Sequence, residues 1–253
     1  MASRHEHSGR IETFLHRRHL AWWSREADRA DTTPHARLGL LRHRAALLKT
    51  RLEHLIRASD QTVGAAAPIH RPMGTDWSWR PAAWREEGGA GVIGDNATAL
   101  TPGITLFHDC PRAEIALRQV RQPQHPTRPA FGVDMEVFGF AGSFLSLAID
   151  LPPEAVQGLR LKHLVCLTMD LEEERPARLI ARLNVRHGPN TEQVIRDIVI
   201  EDDRAIAEFD LAYTRMNETR VEKMWLDLIV QDPRMNRITL HDLTLTRRPR
   251  AEI

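Results

Sequence analysis

Cysteine is nearly absent from this chain: Cys110 and Cys166 stand far apart and outside any CxxC spacing. A disulfide framework is thereby excluded as the support of the fold, and so is a CxxC metal site. No apolar run approaches the roughly 20 residues that a bilayer-spanning helix needs, and the N-terminus lacks the apolar core of a secretion signal. The expectation is synthesis in the cytoplasm and no membrane contact. A protein of this kind working outside the cell leaves by lysis or inside an assembly. Net charge is also lacking, with 35 Lys and Arg against 34 Asp and Glu. That balance hides an asymmetry, because residues 1–60 hold 12 basic and 7 acidic residues and seven of the 13 histidines. The N-terminal end is basic, and more so below neutral pH.

Catalytic and cofactor signatures are missing as well. There is no GxGxxG after a strand, no P-loop, no HExxH and no GxSxG, so no cofactor is implied. His108-Asp109-Cys110 contains the residue types of a thiol catalyst, but neighbours on one strand point to opposite faces and form no relay. The acidic clusters Asp170 to Glu174 and Glu201 to Asp203 carry calcium-type ligands. Charge runs at turns are ordinarily solvated, and no metal is expected. Asp134 and Glu136 share a strand face, yet the facing acid that a glycosidase needs is not identifiable. The chain therefore reads as a protein without an enzymatic activity.

What is present is a two-residue period. From Ser143 to Leu151 the positions Leu145, Leu147, Ile149 and Leu151 alternate with Ser146, Ala148 and Asp150 before Pro152 and Pro153 stop the run. The same rule recurs at His163 to Leu171, Ala177 to Arg186 and Glu222 to Val230. Shorter strands are expected at Gly103 to His108, Glu114 to Val120, Phe131 to Phe140, Thr191 to Ile200, Ile206 to Thr214 and Arg237 to Thr246. In the last, the apolar phase shifts from Ile238 and Leu240 to Leu243 and Leu245, which predicts a bulge near His241. About ten short strands without intervening helices argue for a mainly β protein, a two-sheet sandwich of jelly-roll type. At 253 residues with 42% hydrophobic content the chain can bury such a core.

Two further segments precede this sandwich, which is expected over residues 99–253. Residues 1–60 read as a helical hairpin or arm. Its first helix starts near Ser8 and runs through Ile11, Phe14, Leu15, Leu20, Trp22 and Trp23; its second is capped by Thr33 with Pro34 at the first helical position. Leu38, Leu41, Ala45, Leu48, Leu52 and Leu55 of the second helix follow a three-four spacing, and Leu40 and Leu47 widen it. That seam serves either an intramolecular hairpin, packed on itself or on the sandwich, or docking, on a second copy or another protein, in which Leu38, Leu41, Leu48, Leu52, Leu55, Trp22 and Trp23 make the contact. Residues 61–98, rich in Gly and Pro, read as a long irregular linker. Trp77, Trp79 and Trp84 within it are expected to lie on a surface: the chain's own sandwich, a neighbouring subunit or a sugar.

The wet face of the sheet supplies a candidate binding surface. Arg182, Asn184 and Arg186 line one strand's polar side, and Lys223, Trp225 and Asp227 another's. A flat ring among amide, carboxylate and guanidinium groups suits a polysaccharide, an anionic one in particular. The bland alternative buries Trp225 and Ile229 under a second layer. Nucleic-acid binding by the arm is disfavoured, because acidic residues interrupt its basic run.

The segments Phe144-Leu-Ser-Leu-Ala-Ile-Asp-Leu-Pro152 and Met235-Asn-Arg-Ile-Thr-Leu-His-Asp-Leu-Thr-Leu-Thr-Arg-Arg-Pro-Arg-Ala-Glu-Ile253 resemble an uncharacterised alphaproteobacterial family of unknown function, similar to head-spike proteins of gene transfer agents, phage-like particles that package host DNA. The resemblance covers about half the chain and supplies no catalytic residues. It implies a structural protein of a virion-like particle. In that role the arm attaches to capsid or spike proteins in an oligomeric assembly, and the sandwich carries or forms a spike that meets capsular polysaccharide. The residues alone leave a second role open, a stand-alone carbohydrate-binding or weakly glycosidic jelly-roll protein.

Overall fold

The computed structural model describes residues 17–88, 91–93, 96–112, 114–123, 125–201 and 204–250. Two compact units divide between Ile56 and Arg57. The first is helical: residues 17–28 form α1, a 3-10 turn follows at Ala30–Thr32, and α2 spans His35–Ala66, past the boundary expected at residue 60. Ser8, Ile11, Phe14 and Leu15 lie outside the described residues. Arg37 Nη2 donates to both carboxylate oxygens of Glu26 at 3.0 Å, tying α2 to α1 across the turn. Thr33 does not cap α2. Its hydroxyl donates to Arg29 O at 2.8 Å, a carbonyl that also accepts the Thr32 N–H of the 3-10 turn at 3.1 Å. Pro34 O instead opens α2, accepting from the Arg37 and Leu38 N–H groups at 3.0 Å.

The second unit is a jelly-roll-type sandwich of two antiparallel sheets. In chain order its strands are β1 (Trp77–Trp79), β2 (Val92–Ile93), β3 (Ala97–Thr101), β4 (Ile104–His108), β5 (Ile115–Arg121), β6 (Phe131–Val137), β7 (Leu145–Asp150), β8 (His163–Glu173), β9 (Arg178–His187), β10 (Asn190–Asp197), β11 (Val199–Glu201), β12 (Arg204–Asp210), β13 (Val221–Gln231) and β14 (Asn236–Pro249). One sheet runs β11-β12-β8-β14-β6-β5-β2, with β1 added on β14; the other runs β10-β9-β13-β7-β4-β3. The two-residue period turns one face of each sheet inward. Leu147 and Ile149 of β7, Leu167 of β8, Leu183 of β9, Leu226 of β13 and Leu245 of β14 join one buried cluster.

Two expected strands are interrupted where the chain turns a corner. Thr191 to Ile200 divides into β10 and β11, which belong to different sheets. Between them the Ile198 N–H donates to Leu179 O at 3.2 Å. The strand expected to reach Thr214 ends at Asp210, whose carboxylate accepts the Ala212 N–H at 3.0 Å and starts a 3-10 turn at Leu211–Tyr213.

The stretch expected to be an irregular linker contributes strands to the sandwich. After β1 comes a single helical turn, α3 (Ala82–Arg85). Trp84 on it is fully buried and donates Nε1–H to Leu240 O at 3.0 Å. Trp77 and Trp79 of β1 are half-buried against the core. Arg80 is buried and forks Asp242 of β14 with two contacts of 2.8 Å, while its Nη1 donates to Ala67 O at 2.8 Å. The rings therefore pin the linker to its own sandwich, one of the fates open to them.

Strand β14 shows the register shift that its sequence predicts. Pairing with β8 slips between Leu240 and Asp242, leaving His241 as the extra residue. On its other edge β14 pairs with β6 over Asn236 to Leu240 and with β1 over Leu245 to Arg247. Trp84→Ala removes the largest buried side chain of this region together with a donor to Leu240 O. It should destabilise the protein by about 3–5 kcal/mol, read as a lowered denaturation midpoint with an unchanged slope. A loss below about 1 kcal/mol would show that the linker is not part of the folded sandwich.

Candidate functional site

The sandwich exposes two outer faces, and the residues singled out in the sequence occupy the second sheet's. Antiparallel register sets Trp225 opposite Asn184, Asp227 opposite Arg182 and Lys223 opposite Arg186, so the six share one face. Their polar groups are engaged with one another. Asp227 Oδ2 accepts from Arg182 Nε at 2.9 Å and Asn184 Nδ2 at 2.8 Å, and Asn184 Oδ1 accepts from Gln193 Nε2 at 3.0 Å. Asn184 and Asp227 are buried beneath these partners. Lys223 pairs with Asp150 at 2.8 Å and lies 5.9 Å from the centre of the half-buried Trp225 ring; Arg186 pairs with Glu222 at 3.1 Å. Register puts two exposed apolar residues on the same face, Phe107 of β4 and Ile195 of β10, so it presents apolar side chains amid paired charges.

The first sheet's outer face carries a groove. Of about 940 Å³, the groove is bordered by Gln122, Pro123, His125 and Arg128 on one side and by Glu174, Arg175 and Met235 on another. Pairing aligns Arg118, Asp134, Thr239 and Glu172 in one row across β5, β6, β14 and β8. Glu136 and Arg237 form the next row. Asp134 is fully buried at the floor: its Oδ1 accepts from Arg237 Nε at 2.8 Å and Thr239 Oγ1 at 2.9 Å, and its Oδ2 from Arg118 Nη2 at 2.6 Å. Arg118 also reaches Glu136, at 2.5 Å. Two guanidinium groups thus answer two carboxylates. Burial alone would raise the Asp134 pKa, but the hydrogen bonds from Arg237, Thr239 and Arg118 outweigh it and hold the carboxyl below its ordinary 3.8.

One end of the groove has an apolar lip. Phe138, directly after β6, is 55% exposed and Met235 is 56% exposed. Met235 sits in the left-handed region at φ 52°, a conformation that costs an L-residue roughly 1–2 kcal/mol. The turn is held by the Met235 N–H donating to Phe138 O at 3.2 Å, and by Asn236, whose amide bonds both backbone groups of Arg175 at 2.9 Å. Farther along, the His241 ring lies 2.9 Å from Gln122 Oε1 and 3.2 Å from Glu172 Oε2. Aromatic and thioether surface beside carboxylate, guanidinium and imidazole groups can stack one face of a sugar ring while reading its hydroxyls.

Sequence reasoning noticed that Asp134 and Glu136 share a face but missed the groove around them. One signal was available: Val133, Met135 and Val137 are the inward phase of β6, so Phe138 is an apolar residue on the outward phase. Their partners Arg118, Arg237 and Glu172 depend on strand register, which no local pattern gives. Of His108, Asp109 and Cys110, expected on one strand, only His108 lies on β4, which ends there. His108 Nδ1 accepts the Cys110 N–H at 3.2 Å, and Asp109 accepts from the Ser143 and Phe144 N–H groups at 2.7 and 3.1 Å. Among the described residues no group of three His, Cys, Asp or Glu is placed to hold a metal ion, and no helix is long and apolar enough to cross a membrane.

The buried carboxylate gives a pH-dependent prediction. Because Asp134 binds its proton more weakly when folded, its contribution to stability is complete above pH ~3.8 and is lost as pH falls through its lower folded value. Asp134→Asn should cost about 1–3 kcal/mol at neutral pH, and the gap from the unsubstituted protein should close below pH ~3.8. A gap that stays constant with pH would place the loss in packing rather than in charge.

Several solved structures match this chain at low similarity. The enzymatically active domain of bacteriophage CBA120 tailspike protein 4 matches with a TM-score of 0.40 and 7% identity over 56% of this chain and 19% of that one, so the chain spans about a fifth of the tailspike's length. A family 11 carbohydrate-binding module from Clostridium thermocellum matches with a TM-score of 0.39 and 9% identity over 66% of this chain and 100% of the module. A cyclase from Fischerella sp., in its apo form, matches with a TM-score of 0.43 and 14% identity over 72% and 100% of the two chains. No curated protein matches in sequence. A family of unknown function, DUF6478, matches residues 1–253, the whole length of the chain, and the chain belongs to that family.

Proposed function

We propose that this protein is a non-enzymatic carbohydrate-binding β-sandwich held in place by a helical attachment arm. The observation that carries the reading is the pairing, in one open groove, of the exposed Phe138 ring with the polar groups of Glu136, Arg237 and Glu172. A sugar needs both, a flat apolar surface for its CH face and fixed donors and acceptors for its hydroxyls. Binding rather than cleavage is supported by the state of the carboxylates. A glycosidase needs a general acid whose pKa is raised, whereas Asp134 is buried, lowered and neutralised by two arginines. The Trp225 face is a second, weaker candidate for the same ligand class, because Asn184 and Asp227 lie below its surface.

The resemblance to head-spike proteins supplies a setting, a phage-like particle released by lysis, with the arm on a capsid or spike protein and the sandwich facing capsular polysaccharide. A specific observation favours attachment through the arm: Leu48, Leu52 and Leu55 of α2 are 42%, 48% and 64% exposed, an apolar row that water penalises.

Affinity electrophoresis through gels containing acidic capsular polysaccharide tests the site. Phe138→Ala should weaken retention about tenfold or more, the equivalent of about 1.4 kcal/mol, with an unchanged melting temperature because the ring is exposed. Trp225→Ala should leave retention in place. The opposite pattern would move the site to the second sheet, and release of reducing sugar by the unsubstituted protein would replace binding with hydrolysis.

A further inference from the structure

The charges beside the leucine seam of α2 specify what it docks on. The seam consists of Leu38, Leu41, Ala45, Leu48, Leu52 and Leu55. In heptad terms the positions flanking it are Arg37, Arg44 and Arg51 on one side and Arg42 and Lys49 on the other. From His35 to Leu52 there is no acidic residue. Two copies of this seam laid together in parallel would set Arg37 against Arg42 and Arg44 against Lys49, and laid antiparallel would set the arginine row against itself; like charges there disfavour association.

The arm itself shows what the arginine row accepts. Arg37, the first of it, already forks the Glu26 carboxylate of α1 at 3.0 Å. In this first half of the seam Leu38, Leu41 and Ala45 are half-buried; in the second half Leu48, Leu52 and Leu55 stand exposed, with Arg44 and Arg51 beside them. Leu40 and Leu47, also exposed, lie on the far side of the arginine row, about 50° away around the helix at 100° per residue. A row of cations enclosed between two leucine rows differs from a helix lying in a membrane surface, whose charges gather on the face opposite the apolar one.

We infer that the exposed half of α2 docks on an acidic partner protein, an amphipathic helix whose apolar ridge meets Leu48, Leu52 and Leu55 and whose flanking carboxylates meet Arg44 and Arg51. This deepens the attachment half of the proposed function and is independent of the sugar half.

The test uses the full chain and three probes. The first is a pair of fluorescent four-heptad peptides with Leu at both seam positions, flanked by Glu in one and by Lys in the other. The others are vesicles of phosphatidylglycerol and phosphatidylcholine, and the protein's own self-association by sedimentation equilibrium. The Glu-flanked peptide should bind, weaken about tenfold between about 50 and about 300 mM salt, and lose about tenfold or more in affinity on Leu52→Ser, with the fold intact by circular dichroism. The Lys-flanked peptide should not bind. Equal binding of both peptides, self-association abolished by Leu52→Ser, or tighter binding to vesicles than to the acidic peptide would each overturn the inference. Failure to bind peptide, copy and vesicle alike would overturn the attachment reading itself, leaving the polysaccharide result unaffected.

Discussion

A fourteen-residue strand needs partners along both edges, and β14 obtains them only by changing neighbours. On one edge β8 pairs with it nearly throughout, while on the other β6 stops at Leu240 and β1 begins at Leu245. The gap falls at the His241 bulge, where backbone carbonyls leave the ladder and must find donors or be desolvated at a cost. They are answered by side chains: Trp84 Nε1 donates to Leu240 O at 3.0 Å and Gln122 Nε2 to His241 O at 2.7 Å. Asp242, the next residue, takes the buried Arg80. One irregularity in one strand thus anchors both the segment entering the sandwich and the Pro-rich loop beside the groove.

The same irregularity shapes the groove. Gln122 holds the loop by donating also to Pro129 O and Phe131 O, at 3.2 and 2.7 Å, and its amide oxygen faces the His241 ring. Close approach is part of the arrangement. A side chain at Gly132 would place its Cβ 2.9 Å from Leu240 O, backbone that cannot yield. Below this region Asp134 holds Arg118 and Arg237 in fixed positions while surrendering its own charge to them. The Arg237 guanidinium, which lines the groove, is thereby held in one orientation.

Much of the fold was legible because the two-residue period is strong where strands have one dry face, as in β7, β8, β9 and β13. The bulge was legible too, since a register slip must shift the apolar phase, and Leu240 and Leu243 record it. The strands β1 and β2 were hidden by their brevity and by the glycines and prolines around them; their pairing comes from β14 and β5, not from their own pattern. Thr33 misled because a capping hydroxyl and one that bonds to the preceding helix look the same in sequence. The groove was obscured for a related reason: Arg118, Asp134, Glu172 and Arg237 are far apart in the chain and meet only through register. On β9 and β13 the polar residues were correctly placed on one face, but sequence does not reveal that Asn184 and Asp227 would bury themselves in bonding to each other.

Arm and sandwich carry separable chemistry, cations beside leucines in one and neutralised charges beside an aromatic lip in the other. The central claim concerns the second, that the first sheet's outer face is the sugar-binding surface. Backbone amide chemical shifts followed during titration with fragments of a capsular polysaccharide test it most directly. Perturbations should concentrate at Phe138, Glu172, Met235, Arg237 and His241. Perturbations centred on Lys223 and Trp225, or none at saturating sugar, would contradict it.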